Sequence, residues 1–273
     1  MSEETKAKQL KKALGYEPKL VTKTMPEEEI RRADAYCEGY KTFMDAAKTE
    51  REAVSEAVKM AEKAGFVPFD RTAPLKAGDR VYVNNRNKAL LLAVIGSRPI
   101  ADGVSIAAAH IDSPRLDLKP NPLYEDHDLA YFDTHYYGGI KKYQWTAIPL
   151  ALHGVVVLRD GTTVPVRVGE DPDDPVFCVT DLLPHLATEQ MTRKATEVVK
   201  GEDLNIPAFK ARDLGFDRSL IGAYGHDDRV CAYPALTAIL EARNPAFTAV
   251  TILADKEEIG SEGNTGMQSA YLR

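Results

Sequence analysis

In Val104-Ser-Ile-Ala-Ala-Ala-His-Ile-Asp-Ser-Pro114, an apolar run ends abruptly in a histidine, an aspartate and a proline. Gly103 and Pro114 bound it, and it is too short for a stable helix, so it reads as a strand buried on both faces of an α/β sheet. Its neighbours agree. Upstream, Arg80–Asn84 alternates in polarity and Ala89–Ile95 is continuously apolar; downstream, Ala249–Ala254 is a further buried strand. Helices flank these strands. Thr24-x-x-Glu27 reads as a capping box with Pro26 in the first turn. From there Ile30, Ala33, Cys37, Tyr40, Phe43, Met44 and Ala47 recur at the spacing of one buried helical face, and Val54, Ala57, Val58 and Ala61 continue it to Gly65. A single long helix is expected over that span. A second helical pattern covers Asp227–Arg243.

Between about residues 115 and 220 the character changes. Prolines, the acidic turn Glu170–Pro175 and the short β-type runs Leu150–Leu158, Thr163–Val168 and Val176–Val179 point to a β-rich insertion rather than more helix–strand alternation. After Ala254 comes a Gly-rich acidic loop, and only Gly-Met-Gln-Ser-Ala-Tyr-Leu-Arg273 follows it. A sheet finishing there would leave a strand edge and apolar surface uncovered, so the sequence is expected to stop in the middle of a fold.

The composition narrows the function. The chain has 273 residues, 44% of them hydrophobic and 28% charged, with 35 basic and 41 acidic side chains for a net charge of −6. That is ordinary for a globular protein and opposite to the basic surface a nucleic-acid binder needs. The three cysteines (Cys37, Cys178, Cys231) lie far apart with no Cys-x-x-Cys, which excludes a disulfide scaffold or a cysteine zinc knuckle and fits a reducing compartment. The polar opening MSEETKAKQLKK is no secretory signal, and Ala89–Ile95 is far too short to span a bilayer. A cytoplasmic protein without nucleic-acid or membrane partners is expected.

No Gly-x-Ser-x-Gly elbow, phosphate-binding Gly-rich loop with Lys-Ser/Thr or His-Glu-x-x-His helix occurs. Three clusters remain. In His110-Ile-Asp112, side chains two apart on an extended segment share a side, so Asp112 can hold one ring nitrogen of His110 and leave the other for a metal. A plain strand-end histidine bonded in a turn fits the same residues. In Gly225-His226-Asp227-Asp228-Arg229, the aspartates could cap a helix, or one of them could bridge two cations. In Asp255-Lys256-Glu257-Glu258, a solvated acidic turn competes with a division of labour: one glutamate ligates a metal and the other takes a proton from activated water. Together, a histidine, a bridging aspartate and a Glu-Glu pair at strand ends make the nitrogen- and oxygen-rich donor set of a two-zinc hydrolytic site.

His-Ile-Asp-Ser-Pro-Arg-Leu-Asp-Leu-Lys-Pro (110–120), Tyr137-Gly-Gly-Ile-Lys-Lys-Tyr-Gln-Trp145, Pro149-Leu-Ala-Leu-His-Gly154 and Asp255-Lys-Glu-Glu-Ile-Gly-Ser261 resemble the aspartyl and vacuolar-type zinc metallo-aminopeptidases, most closely the bacterial members. The resemblance implies an α/β zinc-peptidase domain formed by residues 1–114 and 221–273, its final part missing. Residues 115–220 would be an inserted β-rich dimerisation domain through which homo-oligomers assemble. It implies that His110 binds one metal, Asp227 bridges two, Glu258 binds the second, Glu257 is the general base and Asp112 orients His110. His185, in Leu183-Pro-His-Leu-Ala187, would reach the substrate site of a neighbouring subunit. The implied reaction is removal of the first residue from peptides with a free N-terminus. Zinc is the implied metal, two per subunit in a complete chain, and cobalt or manganese would suit similar ligands. A complete member carries a further Asp and a final His ligand beyond the Glu-Glu pair, so this chain alone is expected to be an inactive fragment. Two other readings stay open: a non-catalytic short paralogue that assembles with complete subunits, and a mononuclear amidohydrolase whose site His226 or His127 completes.

Overall fold

A computed structural model of the chain describes residues 5–16, 20–126, 128–146, 148–171, 173–199, 211–214 and 218–270. The chain divides into two compact units, residues 1–40 and 41–273. The first holds α1 (Lys6–Leu14) and the start of α2 (Glu27–Ala46). In the second follow α3 (Glu50–Lys63), β1 (Val67–Pro68), β2 (Arg80–Asn85), β3 (Ala89–Val94), β4 (Val104–His110), β5 (Arg115–Asp126), β6 (Leu129–Tyr137), β7 (Leu152–Val157), β8 (Thr163–Val168), β9 (Arg212–Leu214), β10 (Leu220–Gly222), α4 (His226–Glu241) and β11 (Thr248–Ala254).

The single long helix expected from Thr24 to Gly65 is two helices. Thr24 does not cap: its hydroxyl donates to the carbonyl of Val21 at 3.1 Å. The capping box stands instead at Thr49-x-x-Glu52, where the Thr49 hydroxyl accepts from Glu52 N–H at 3.2 Å and the Glu52 carboxylate accepts from Thr49 N–H at 2.9 Å. Thr49 is extended, so the chain breaks between Ala46 and Glu50 although the apolar period runs through the break. Of the face expected to be buried along α2, Tyr40, Phe43 and Met44 are buried and Ile30 and Cys37 half-buried, whereas Ala33 is exposed.

The main sheet has the order β1-β2-β3-β11-β4, with β11 antiparallel to β3 and parallel to β4. β3 is buried on both faces, as its unbroken apolar run requires, and so is most of β11. The same expectation fails for β4, whose first five residues are exposed, with Ile106 at 59%. β4 lies at the sheet edge, and a run of apolar residues does not distinguish an edge strand from a central one. α3 packs on β2 and β3, and α4 packs on β3, β4 and β11. Arg80 ties the ends of both helices down: its guanidinium donates to the carbonyls of Ala64, Leu240 and Ala242 at 2.8, 2.7 and 3.2 Å, acceptors that a helix C-terminus leaves unmet.

The described residues of 115–222 form three antiparallel pairs, β5–β6, β7–β8 and β9–β10. The β5–β6 hairpin contains the longest strand and was not anticipated. Val176–Val179 is no strand; Phe177 and Val179 make isolated bridges to Leu150 and Thr146. These residues share a small core of Leu116, Leu150, Val179 and Val199. Among the described residues no helix is long and apolar enough to cross a membrane.

Candidate metal centre

β4 and β11 run parallel with His110 opposite Ala254, so His110 and the loop from Asp255 leave the sheet at the same edge. α4 brings Asp227 to that edge. Its span opens after Gly225, at φ 80°, and Asp227 and Asp228 have non-helical backbone, so the regular turns begin only after them. A Cβ at Gly225 would collide with the guanidinium of Arg229, which is fully buried and donates to the carbonyls of Lys48 and Ile111 at 3.0 and 3.1 Å. That close approach and the left-handed backbone demand glycine. The Asp227 side chain is 86% exposed.

His110 Nδ1 lies 3.1 Å from the main-chain carbonyl of Asp112 and 3.4 Å from its Oδ1. A carbonyl only accepts, so Nδ1 carries a proton and donates, and Nε2 is the atom turned to Asp227 and Glu257. Nε2 is 3.2 Å from Asp227 Oδ1 and 3.7 Å from Glu257 Oε2. Ligand atoms of His110, Glu257 and Glu258 all lie within 4.8 Å of one another. Asp227 falls outside that triplet but touches the same His110 nitrogen.

Asp112 is fully buried and organises the cluster. Its Oδ1 accepts from Glu257 N–H at 3.2 Å; its Oδ2 accepts from Glu258 N–H at 3.2 Å and from the Tyr137 hydroxyl at 2.7 Å. Burial works to raise its pKa, and the hydrogen bonds from His110, Tyr137, Glu258 and Glu257 outweigh it, holding the carboxyl below its ordinary value. Burial likewise works against the charged form of His110, yet the Asp112 carboxylate and carbonyl, with the charge of Asp228, push its pKa up to about 9. Glu258 is raised by burial and by the negative charges of Asp112, Asp227 and Glu257, against the opposing pull of His110. Carboxylates this close repel one another, and a cation among them relieves that repulsion. The donor set, one imidazole nitrogen and carboxylate oxygens, suits zinc.

His185 is exposed, in a turn where Leu186 and Ala187 N–H bond the Leu183 carbonyl, and it is not part of the cluster. His226 directs Nε2 to the carbonyl of Ile221 at 3.0 Å and does not join the triplet, so nothing favours it as a completing ligand. His127 lies outside the described residues.

Two residues were given no role from sequence. Tyr137 bonds Asp112, and Gly138, at φ 75°, sits so close to Glu258 that a Cβ there would be 3.0 Å from Oε2. The available signal was the Tyr137-Gly-Gly that closes an aromatic-rich run with Tyr131, Phe132 and Tyr136.

Comparison with known proteins adds independent findings. Residues 43–206 and 188–273 match the family model of aminopeptidase I zinc metalloproteases (M18). The chain is 48% identical to a probable M18 family aminopeptidase 1 of Clostridium acetobutylicum, over 90% of this chain and 63% of that relative. It is 43% identical to a namesake from Thermotoga maritima, over 90% of this chain and 62% of that one. The crystal structure of the Thermotoga maritima M18 aminopeptidase superposes with a TM-score of 0.87, at 42% identity, covering 94% of this chain and 65% of that one. The crystal structure of aminopeptidase I from Clostridium acetobutylicum gives a TM-score of 0.86 at 47% identity, over 95% of this chain and 67% of that one. The chain thus spans about 63% of the length of the curated relatives it matches.

Proposed function

The chain belongs to the M18 aminopeptidase I family of zinc metalloproteases, as a bacterial-type member, and from that premise we propose that it carries the metal centre of an enzyme removing single residues from the free N-terminus of peptides. The convergence of His110, Glu257 and Glu258 within 4.8 Å at one sheet edge, with Asp227 against His110, is the observation that carries this reading. His110 would hold one zinc ion, Glu258 a second, and Asp227 both; cobalt or manganese would suit the same donors. Such a pair polarises the scissile carbonyl and acidifies water. Glu257, 56% exposed at its side chain and 3.7 Å from His110 Nε2, would take the proton from the attacking water and return it to the departing amine. Asp112 keeps the proton of His110 on Nδ1, leaving Nε2 for the metal. These roles are proposed for the whole protein, whose relatives extend beyond the length matched here. Additional donors from such an extension would complete each ion's coordination, and a chain limited to these three ligands would be inactive. We further assign residues 1–114 and 221–273 to the metallopeptidase domain and 115–220 to an inserted domain mediating homo-oligomerisation, with His185 reaching a neighbouring subunit's substrate.

The test is hydrolysis of an aminoacyl arylamide by the zinc-loaded whole protein, including any extension beyond the residues described, against the same substrate with an acetylated amine. Glu257→Gln should lower kcat by about 10²–10⁴ with KM little changed, the range for a lost general base. The acetylated substrate should resist cleavage. Equal cleavage of both substrates, or an undiminished Glu257→Gln, would exclude this chemistry.

A further inference from the structure

We propose that Tyr137 is a positioning residue for the metal centre: its hydroxyl fixes the Asp112 carboxylate so that the turn ending β6 sets the geometry of the ligands. This role rests on the metal-site assignment made above and extends it to the β5–β6 hairpin.

The Asp112 carboxylate accepts from the main-chain N–H groups of Glu257 and Glu258 at 3.2 Å and lies 3.4 Å from His110 Nδ1, which is also 3.1 Å from the Asp112 carbonyl. The Tyr137 hydroxyl bond is shorter, at 2.7 Å, and its donor stands on neither β4 nor the loop after β11. A carboxylate gripped only by the groups it must position would turn with them. One gripped from a separate element acts as a fixed reference.

Tyr137 is itself anchored. Arg115, its partner in the β5–β6 register, places its guanidinium carbon 3.9 Å from the ring centroid. Arg115 is held by Asp117 at 2.7 Å and by the buried Glu50 at 3.5 Å, and Glu50 pairs with Lys88 at 2.6 Å. A continuous line of contacts therefore runs from the first turn of α3 through Arg115 and Tyr137 to Asp112 and His110. Gly138 adds a second constraint from the same turn: it lies against the Glu258 side chain, where any Cβ would press on Oε2 and Cβ at 3.0 and 3.1 Å. Adjacent residues thus steady His110 through Asp112 and wall in Glu258 directly.

Phenylalanine at 137 keeps the stacking on Arg115 and removes only the hydroxyl. The experiment measures zinc affinity by competition with a chromophoric chelator, and the absorption spectrum of the cobalt-loaded protein, for wild type, Tyr137→Phe, Gly138→Ala and His110→Ala. Tyr137→Phe should bind zinc about tenfold more weakly, the low end for partners that orient a ligand. Its cobalt spectrum should shift, while its metal-free unfolding midpoint stays close to wild type. Gly138→Ala should weaken zinc by a similar factor without removing any ligand, and it tests the same turn should Tyr137→Phe not fold. If wild type binds zinc through His110, but both turn variants match its affinity and cobalt spectrum, the positioning role is wrong. If wild type binds no zinc, or His110→Ala binds as well as wild type, the metal-site assignment itself falls, and this role with it.

Discussion

His110 and His153 both stand between carboxylates, and they are built for opposite ends. His110 gives Nδ1 to Asp112 and turns Nε2 toward Asp227 and Glu257, whose side chains are largely exposed. His153, on β7, is closed on both sides: Nδ1 lies 3.0 Å from Glu52 of α3 and Nε2 3.1 Å from the buried Glu170 after β8. Around His110, Asp227 and Glu257 converge on Nε2, the arrangement we propose as a cation site. Around His153 they are divided between two nitrogens, and the ring fastens three segments together. A histidine among acids is therefore a ligand candidate only where the acids share one nitrogen with it.

The widest separation between the two should appear in metal binding. His110→Ala should weaken zinc at least about 100-fold, whereas His153→Ala should leave affinity within about threefold, by equilibrium dialysis. A reversal of that order would overturn the distinction. Metal-free stability should rank the other way. His153→Ala strands Glu52 and Glu170 without their shared partner and should cost about 3 kcal/mol in urea unfolding, since breaking a buried charged contact costs about 3–5 kcal/mol. His110→Ala should cost less, because two of its partners face solvent.

Acid and base should then separate the two sites. The pKa of His110 is raised from 6.5 to about 9, so its contribution to metal-free stability is complete below pH 6.5 and disappears as pH rises through about 9. Zinc must displace the Nε2 proton, so affinity should climb over the same interval. Glu52 behaves oppositely. Burial works to raise its pKa, but hydrogen bonds from His153 and Thr49 hold it below 4.5, so its contribution is present above pH 4.5 and is lost as pH falls below that value. Urea titrations across pH should show His110→Ala flattening the alkaline limb and His153→Ala the acid limb. The smallest effect belongs to Thr49→Ala, which removes the capping box that shares Glu52 with His153. It should cost about 1 kcal/mol and leave zinc affinity unchanged.

The five residues His110, Asp112, Asp227, Glu257 and Glu258 were legible because each lies where an apolar strand or helix pattern meets a turn, the places where α/β sheets gather ligands. Their roles are proposals; the proximity of His110 and Asp112 to Glu257 and Glu258 follows from two parallel strands ending together, and α4 adds Asp227. What sequence spacing does not encode is which segment folds beside which. Tyr137 meets Asp112 across 25 residues and His153 meets Glu52 across 101, so both stood in quoted motifs without a partner. The break at Thr49 was hidden because the apolar period runs through it, although Thr49-x-x-Glu52 was there to be read. The exposure of Ile106 was hidden for a related reason: an apolar run records what a strand is made of, and its place in the sheet depends on the other strands.

The most direct measurement is anomalous diffraction at the zinc edge from crystals of the zinc-loaded protein. A dinuclear centre predicts two peaks at the end of β4 and β11, one on His110 Nε2 and one on Glu258, with Asp227 between them. Zinc peaks elsewhere, at His153 for example, with none at His110, would contradict it.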